Sequence, residues 1–299
     1  MDRFEEMNVF VKVAESAGFA AAARRLNLSP PTVTRAIAAL EARIGAMLFA
    51  RTTRSVRLTE AGQRYFEDCR RILAELHDME EIALGAHATP RGQLSLTAPV
   101  LFGKMFLLPL LREFLDAHPQ VNARLLLNDR VLSLVDDGFD IALRIGDLPD
   151  SSLVAVPVAR VRRVICASPA LIAAVGLPQH PAELSRFRVA MAANVTPTPE
   201  WRFQHDGAPL SVRLQPTLWV DTNRSAIDAA VRGWGITRVL SYQIAPELQA
   251  GTLQTMLEAF EPPSLPVHLV YQEGRRASAK VRGFVDFAVA RLRDDPSLT

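Results

Sequence analysis

Cysteine is nearly missing: 299 residues carry only Cys69 and Cys166. Two thiols make no disulfide framework, which fits a reduced, cytosolic chain. Nowhere does an apolar run approach the roughly 18 residues that a membrane helix needs, so no span is expected. The opening MDRFEEMNVF puts acids where an export signal needs a basic start. The histidines, His77, His87, His118, His180, His205 and His268, are scattered and show no ligand spacing near either cysteine. Neither a metal nor a cofactor is expected. Ser151, Ser152 and Ser168 lack a nucleophile-elbow context, and Cys166 falls inside an apolar strand. Gly233-Trp234-Gly235 lacks the third glycine of a phosphate loop and reads as a tight turn.

What is present is uneven charge. The net charge is only +2. Yet between Ala20 and Arg64 stand Arg24, Arg25, Arg35, Arg43, Arg51, Arg54, Arg57 and Arg64 against Glu41 and Glu60. From Tyr65 to Ala88 only Arg70 and Arg71 oppose Glu67, Asp68, Glu75, Asp78, Glu80 and Glu81. The positive charge is confined to an N-terminal head, a pattern that steers a module toward phosphates. The length allows about two or three domains.

Phe4, Met7, Phe10, Val11 and Ala14 recur at helical spacing and predict a helix over 3–16, with Gly18 as its stop. Ala20–Leu26 is Ala-rich and helix-favouring. Asn27 tolerates a left-handed exit, Ser29 caps the next helix and Pro30 takes its first position. Val33, Ile37, Leu40 and Ile44 form the buried stripe of that helix, and Gly45 ends it. Two helices joined through Asn27-Leu28-Ser29 make a helix-turn-helix, whose second helix enters the major groove by its N-terminal half. Pro31, Thr32, Thr34 and Arg35 are the exposed positions there. With Ser29 and Pro30 they are the candidate DNA contacts: Arg35 for guanine, Thr methyls for thymine, Ser29 for phosphate. Taken alone, this piece fits an ordinary helical hairpin with a solvated face as well. Next come Leu48-Phe49 as an anchor and Arg51, Arg54 and Arg57 with no acid among them. They predict a short hairpin wing along the DNA backbone or minor groove.

Residues 4–62 resemble the N-terminal domain of the LysR-type transcriptional regulators. The resemblance rests on an Ala run before Arg24-Arg25-Leu26, then Leu28-Ser29-Pro30, Thr34-Arg35-Ala36-Ile37 and Leu40-Glu41. It continues through Gly45, Leu48-Phe49, Arg51, Arg54 and Leu58-Thr59-Glu60-Ala61-Gly62. Ile44 stands where the family usually has Leu, a conservative departure.

Thr59 can cap a further helix, with Glu60 near its positive end. Along it Tyr65, Cys69, Ile72, Leu76, Met79 and Ala83 form a heptad seam, with the acids off it. The seam predicts pairing with a second copy; the alternative is a helix packing on its own domain. The resemblance implies the pairing, and beyond it a dimer of dimers, a homotetramer. Cys69 on the seam is a small buried apolar residue in the simplest reading.

His87–Gly92 breaks the helix and marks a linker. Beyond it strands alternate with helices: strands at 94–98, 121–127, 141–145 and 161–167, helices at 100–117 and 131–137. Later come strands at 201–203, 210–216, 218–220, 236–240 and 267–271, and helices at 223–232 and 281–292. This alternation implies mainly parallel sheets. The part resembles the LysR-type effector-binding domain. Leu96-Thr97-Ala98-Pro99, Gly103, His118-Pro119, Val135–Ala142, Arg144-Ile145-Gly146 and Cys166–Pro169 carry the likeness. It implies two Rossmann-like α/β subdomains resembling periplasmic solute-binding proteins. The expected organisation is a winged helix-turn-helix at 1–62, a linker helix at 63–88 and a regulatory domain at 89–299. Within that domain, subdomain I covers about 91–160 and 268–299, and subdomain II about 161–267.

A ligand is expected in the cleft between these subdomains, at strand ends and helix N-termini. Thr97-Ala98-Pro99 runs into a helix whose free N–H groups suit an anion such as a carboxylate. Asn128, Arg144 and Gly146 share that edge; residues 194–196 and Asp221-Thr222-Asn223 form the facing wall, with Asn194, Thr196 and Thr222 as its candidate contacts. Each is equally readable as a turn residue serving its own backbone, and Arg144 as a partner of Asp129 or Asp140. The reading is a ligand-responsive regulator that binds double-stranded promoter DNA and a small-molecule effector. Where such a protein activates, RNA polymerase is a further partner. A solute-binding module would leave the basic head and the seam idle. An α/β enzyme would need a constellation that the sequence does not show.

Overall fold

The computed structural model describes residues 1–51, 56–84, 89–193, 198–272 and 278–298. It divides into two compact units, Met1–Ala88 and Thr89–Thr299. No helix among the described residues is long and apolar enough to cross a membrane, and no group of His, Cys, Asp or Glu there is placed to hold a metal.

In the first unit, α1 (Arg3–Ser16) starts with a reciprocal cap. The Glu5 N–H donates to the Asp2 carboxylate at 2.8 Å, and the Asp2 N–H donates to that of Glu5 at 2.9 Å. Val9, Phe10, Val11 and Val13 are buried, whereas Phe4 is exposed. The helix ends at Ser16 as expected, but Ala17, not Gly18, takes the left-handed turn, at φ 47°, and Gly18 is extended. α2 (Phe19–Leu26) and α3 (Pro30–Ile44) flank Asn27 at φ 54°. Val33, Ala36, Ile37 and Leu40 face inward. Ile44 leaves the expected stripe and is exposed. The chain folds back to Glu41, one turn before it, so Ile44 lies past the edge of the core.

β1 (Phe49–Arg51) and β2 (Val56–Leu58) pair antiparallel, with Ala50 opposite Arg57. α4 (Glu60–Leu84) follows, and the Gly62 N–H donates to Thr59 Oγ1 at 2.9 Å. A Cβ on Gly62 would stand 2.0 Å from the Leu48 carbonyl oxygen, so only glycine lets α4 pass the hairpin so closely. Phe10 sits at the centre of this core, 5.2 Å from the Phe49 ring and 5.3 Å from that of Tyr65.

In the second unit, β3 (Gly92–Ala98) leads into one helical run: α5 (Val100–Phe102), a π turn over Gly103–Leu107, and α6 (Leu108–Ala117). A Cβ on Gly103 would meet Leu127 Cδ2 at 2.1 Å, so the run lies close on the sheet. β4 (Val121–Leu127) and β5 (Ile141–Ile145) flank β3 in parallel. β6 (Leu153–Val161) lies at the far edge, and β14 (Leu265–Gln272), returning late in the chain, pairs antiparallel with both β5 and β6. The sheet order is β4-β3-β5-β14-β6. Residues 131–137 form turns rather than a helix. Gly138 at φ 69° and the Phe139 N–H bond to the Leu134 carbonyl end the winding after one turn, which buries Phe139.

The chain crosses at Arg162 into β7 (Arg163–Ala167), then α7 (Pro169–Val175), β8 (Ala190–Ala192) and the β9 (Glu200–His205) and β10 (Ala208–Arg213) hairpin. Next come β11 (Leu218–Val220), α8 (Asn223–Val231), β12 (Thr237–Leu240), α9 (Ala245–Gln249) and β13 (Gln254–Met256). β7 pairs antiparallel with β12 and β13, while β8 and β11 are parallel. The sheets of both halves are therefore mixed, not mainly parallel. The late return of β14, and strands β12 and β13 running against β7, impose antiparallel pairs on a βα order. α10 (Ala279–Arg293) closes on the first half through Val281, Phe284, Val285, Ala288 and Leu292.

Candidate functional site

The head presents the N-terminal half of α3. Ser29 caps it: the Thr32 N–H donates to Ser29 Oγ at 3.3 Å, and the two hydroxyls lie 2.8 Å apart. Pro30 stands at the first position, and its missing N–H costs nothing there. The Thr34 hydroxyl donates to the Pro30 carbonyl at 3.0 Å, which leaves its methyl as the free contact. Pro30, Pro31, Thr34 and Arg35 are exposed, and Thr32 is half-buried. Arg35 makes no hydrogen bond or ion pair among the described residues. Arg57 is exposed on β2, on the face opposite Phe49 and Leu58. Arg51 is placed in β1 with its side chain undescribed, and Arg54 lies outside the described residues.

A residue that the sequence offered only within the Leu40-Glu41 motif, with no role, holds this wing. Glu41 is buried, and its Oε1 accepts from the N–H groups of Leu48 at 2.8 Å and Phe49 at 3.1 Å. One carboxylate thereby satisfies two backbone donors where α3 hands over to the hairpin. Arg43 on the same helix donates to Glu6 of α1 at 2.8 Å.

The seam of α4 divides. Cys69 is fully buried within the head's own core, and Tyr65 packs beside Phe10. Both therefore face α1, the alternative that the spacing left open. Burial pushes the Tyr65 hydroxyl up to about 12, with Cys69 adding to it, and pushes the Cys69 thiol up too. Ile72 and Leu76 are half-buried, and Met79 is 60% exposed. The side chain of Ala83 is not described.

In the second unit, Thr97 and Ala98 are each 2% exposed and lie inside the sheet, with only Pro99 reaching a half-open position. The Asn128 N–H donates to the Ala98 carbonyl at 2.9 Å, so the ends of β3 and β4 meet as expected. The helix end beyond Pro99 is already filled: the Val100 N–H donates to Asp129 Oδ1 at 3.0 Å. The anion expected there is the protein's own carboxylate. Arg144 meets neither Asp129 nor Asp140; its Nη2 donates to the Leu132 carbonyl, and burial lowers its pKa. The Asp140 carboxylate instead accepts from the Ser95 N–H at 2.7 Å. Gly146, at φ 111°, donates its N–H to the Pro266 carbonyl at 2.8 Å. Asn194 and Thr196 lie outside the described residues.

On the facing side, Thr222 Oγ1 accepts from the Ser225 N–H at 3.2 Å and caps α8. The next residue, Asn223, donates to Gln243 Oε1 at 3.1 Å, and Gln243 donates to the Tyr242 hydroxyl at 3.3 Å. Tyr242 is fully buried and stacks edge-on against Phe102 at 5.2 Å and Phe106 at 5.8 Å. Burial raises the pKa of its hydroxyl, which therefore stays neutral. This Asn223–Gln243–Tyr242 chain ties α8 of the second half to a side chain packed in the core of the first. The sequence placed Asn223 in the facing wall but not its tie to Gln243, which lies 20 residues on. The local signal was the Tyr242-Gln243 pair, polar groups closing an apolar strand.

Two family models match the chain. The bacterial regulatory helix-turn-helix protein model, lysR family, covers residues 4–63, and the LysR substrate binding domain covers residues 87–293. An HTH-type transcriptional regulator of Xanthomonas campestris is 37% identical over 96% of this chain and 85% of its own length. An HTH-type transcriptional repressor of Pseudomonas aeruginosa is 30% identical over 100% of this chain and 95% of its own. Among solved structures, CrgA of Neisseria meningitidis, a LysR-type transcriptional regulator, is 29% identical at a TM-score of 0.62, covering 98% of this chain and 99% of that one. The chain belongs to the LysR family of bacterial transcriptional regulators, ligand-responsive proteins that join a helix-turn-helix DNA-binding domain to an effector-binding domain.

Proposed function

We propose that α3 reads promoter bases through Thr34 and Arg35, while Ser29 and the arginines of the wing, Arg51, Arg54 and Arg57, hold the phosphate backbone. The observation that carries this reading is Arg35: exposed and unpartnered among the described residues, on the open first turns of a capped helix. The protein works in the cytoplasm as a dimer or dimer of dimers, joined along the second half of α4 by Ile72, Leu76 and Met79. Its effector is a small polar molecule seated among Pro99, Asn128, Gly146 and Thr222. An acidic group on that molecule faces Arg144, because Asp129 already fills the Val100 helix end. Effector binding favours one of two assemblies and so alters the DNA contacts, repressing or, through RNA polymerase, activating.

Binding of the full chain to the DNA upstream of its own gene, measured across a salt titration, tests the head. The affinity should fall linearly with salt on logarithmic axes. Arg35→Ala should cost about 1–3 kcal/mol and relax preference at one base pair, whereas Arg57→Ala should weaken all sequences alike and reduce the salt slope by about 1. Affinity indifferent to salt and to both substitutions would sink the reading.

A further inference from the structure

The second subdomain holds a recess apart from the cleft residues, walled mainly by apolar groups such as Phe203, Met256 and Leu257, into which arginines reach. Arg163 and Ile165 of β7 share one face by the two-residue period of a strand. Arg238 of β12 stands directly opposite Ile165. Two guanidinium-bearing side chains thus flank one apolar residue on the same face. Arg202 of β9 and, from the returning chain, Glu261 and Pro262 complete a recess of about 210 Å³, its mouth included. Its enclosed floor has room for about one water-sized atom.

The charges in the recess do not balance. Arg238 is fixed in place: its Cζ lies 4.9 Å over the Trp201 ring, and its Nη1 donates to the Arg202 carbonyl at 3.4 Å. Neither contact is a counter-charge. Arg163 has no hydrogen-bond or ion-pair partner among the described residues. Glu261, the acid lining the recess, is engaged by Arg162, whose Nη1 donates to its two oxygens at 3.1 and 3.0 Å. Burial lowers the pKa of Arg163; burial, with the neighbouring Arg163 charge, pushes Arg238 down to about 9. Desolvated like charges with no counter-ion are an arrangement that an anion relieves.

We infer that this recess is an anion-binding site, in which Arg163 and Arg238 share one anionic atom: an oxygen of a carboxylate or phosphate group, or a halide ion. The planar guanidinium forks suit an oxyanion, and the floor admits a single atom. The position gives the site a consequence. Arg163 follows β6 after one intervening residue, and Glu261 shortly precedes β14, so both connections between the subdomains run past the recess. An anion seated there fastens β7, where the chain enters this subdomain, to its neighbour β12.

Thermal unfolding of the full chain in sodium acetate, phosphate and chloride tests this, each salt compared with a bulky sulfonate at equal ionic strength. The site predicts a saturable rise in Tm with at least one anion, as expected for a ligand of the native state. Arg163→Gln and Arg238→Gln should each abolish the rise. A response to chloride alone assigns a halide; a response to acetate or phosphate assigns an oxyanion group. Arg163→Gln removes a side chain with no partner to lose, so this variant folds even if Arg238→Gln does not, and its Tm in the sulfonate should exceed that of the parent. No rise, or a rise equal in all salts and unchanged in the Arg163→Gln variant, is bulk screening and overturns the site.

Discussion

Glu41 shows how one buried carboxylate can shape a surface used for recognition. Its Oε1 accepts two backbone N–H groups at the entrance to the wing. Hydrogen bonds to a charged group contribute about 1.5–3 kcal/mol each, and a donor left buried without a partner costs its desolvation as well. Glu41→Ala should therefore lower stability by about 2–4 kcal/mol in chemical denaturation, and Glu41→Gln, which keeps one acceptor oxygen, by less. Equal losses in the two variants would show that packing, not the acceptor, matters there. Ser29 was legible from sequence because its capping partner lies three residues away. Glu41 was not, because its partners lie seven and eight residues on, and a polar residue beside the apolar stripe reads as solvated. Asp129 escaped for the same reason: it caps a helix end 29 residues before it.

Among the elements, legibility followed local grammar. Strands β4, β5 and β11 coincide with the apolar runs expected at 121–127, 141–145 and 218–220. β6 was missed. Pro157 removes a ladder donor and argues against a strand, yet β6 is an edge strand pairing only with β14. The register moves from Val267 opposite Ala159 to His268 opposite Pro157, which leaves Val158 as a bulge turned into the core. Pattern alone reveals neither the edge nor the bulge. β8 and β13, three residues each, are too short for any period to show. The junction of hairpin and α4 is the element most sensitive to one atom. Gly62→Ala sets a methyl against the Leu48 carbonyl and should cost about 1–3 kcal/mol. It should also weaken DNA binding more than its stability loss explains, because the wing must shift with Leu48. A Gly62→Ala protein with full affinity would show that the hairpin adjusts freely.

For the whole molecule, the spacing that predicted one long seam reported two different surfaces. Tyr65 and Cys69 complete the head, and only from Ile72 onward does α4 carry apolar residues its own core leaves open. Leu76→Asp and Met79→Asp should then convert the dimer to monomers in sedimentation or light-scattering measurements and leave the head folded. Tyr65→Asp should instead unfold the head. The reverse pattern would return the interface to the first half of the helix. α4 runs unbroken for 25 residues, so at about 1.5 Å per residue it is about 37 Å long. A tilt of about 5° at its base carries its far end about 3 Å on that length, close to the base-pair step of about 3.4 Å. A lever of this proportion needs no large rearrangement to move a head by one base pair along the double helix.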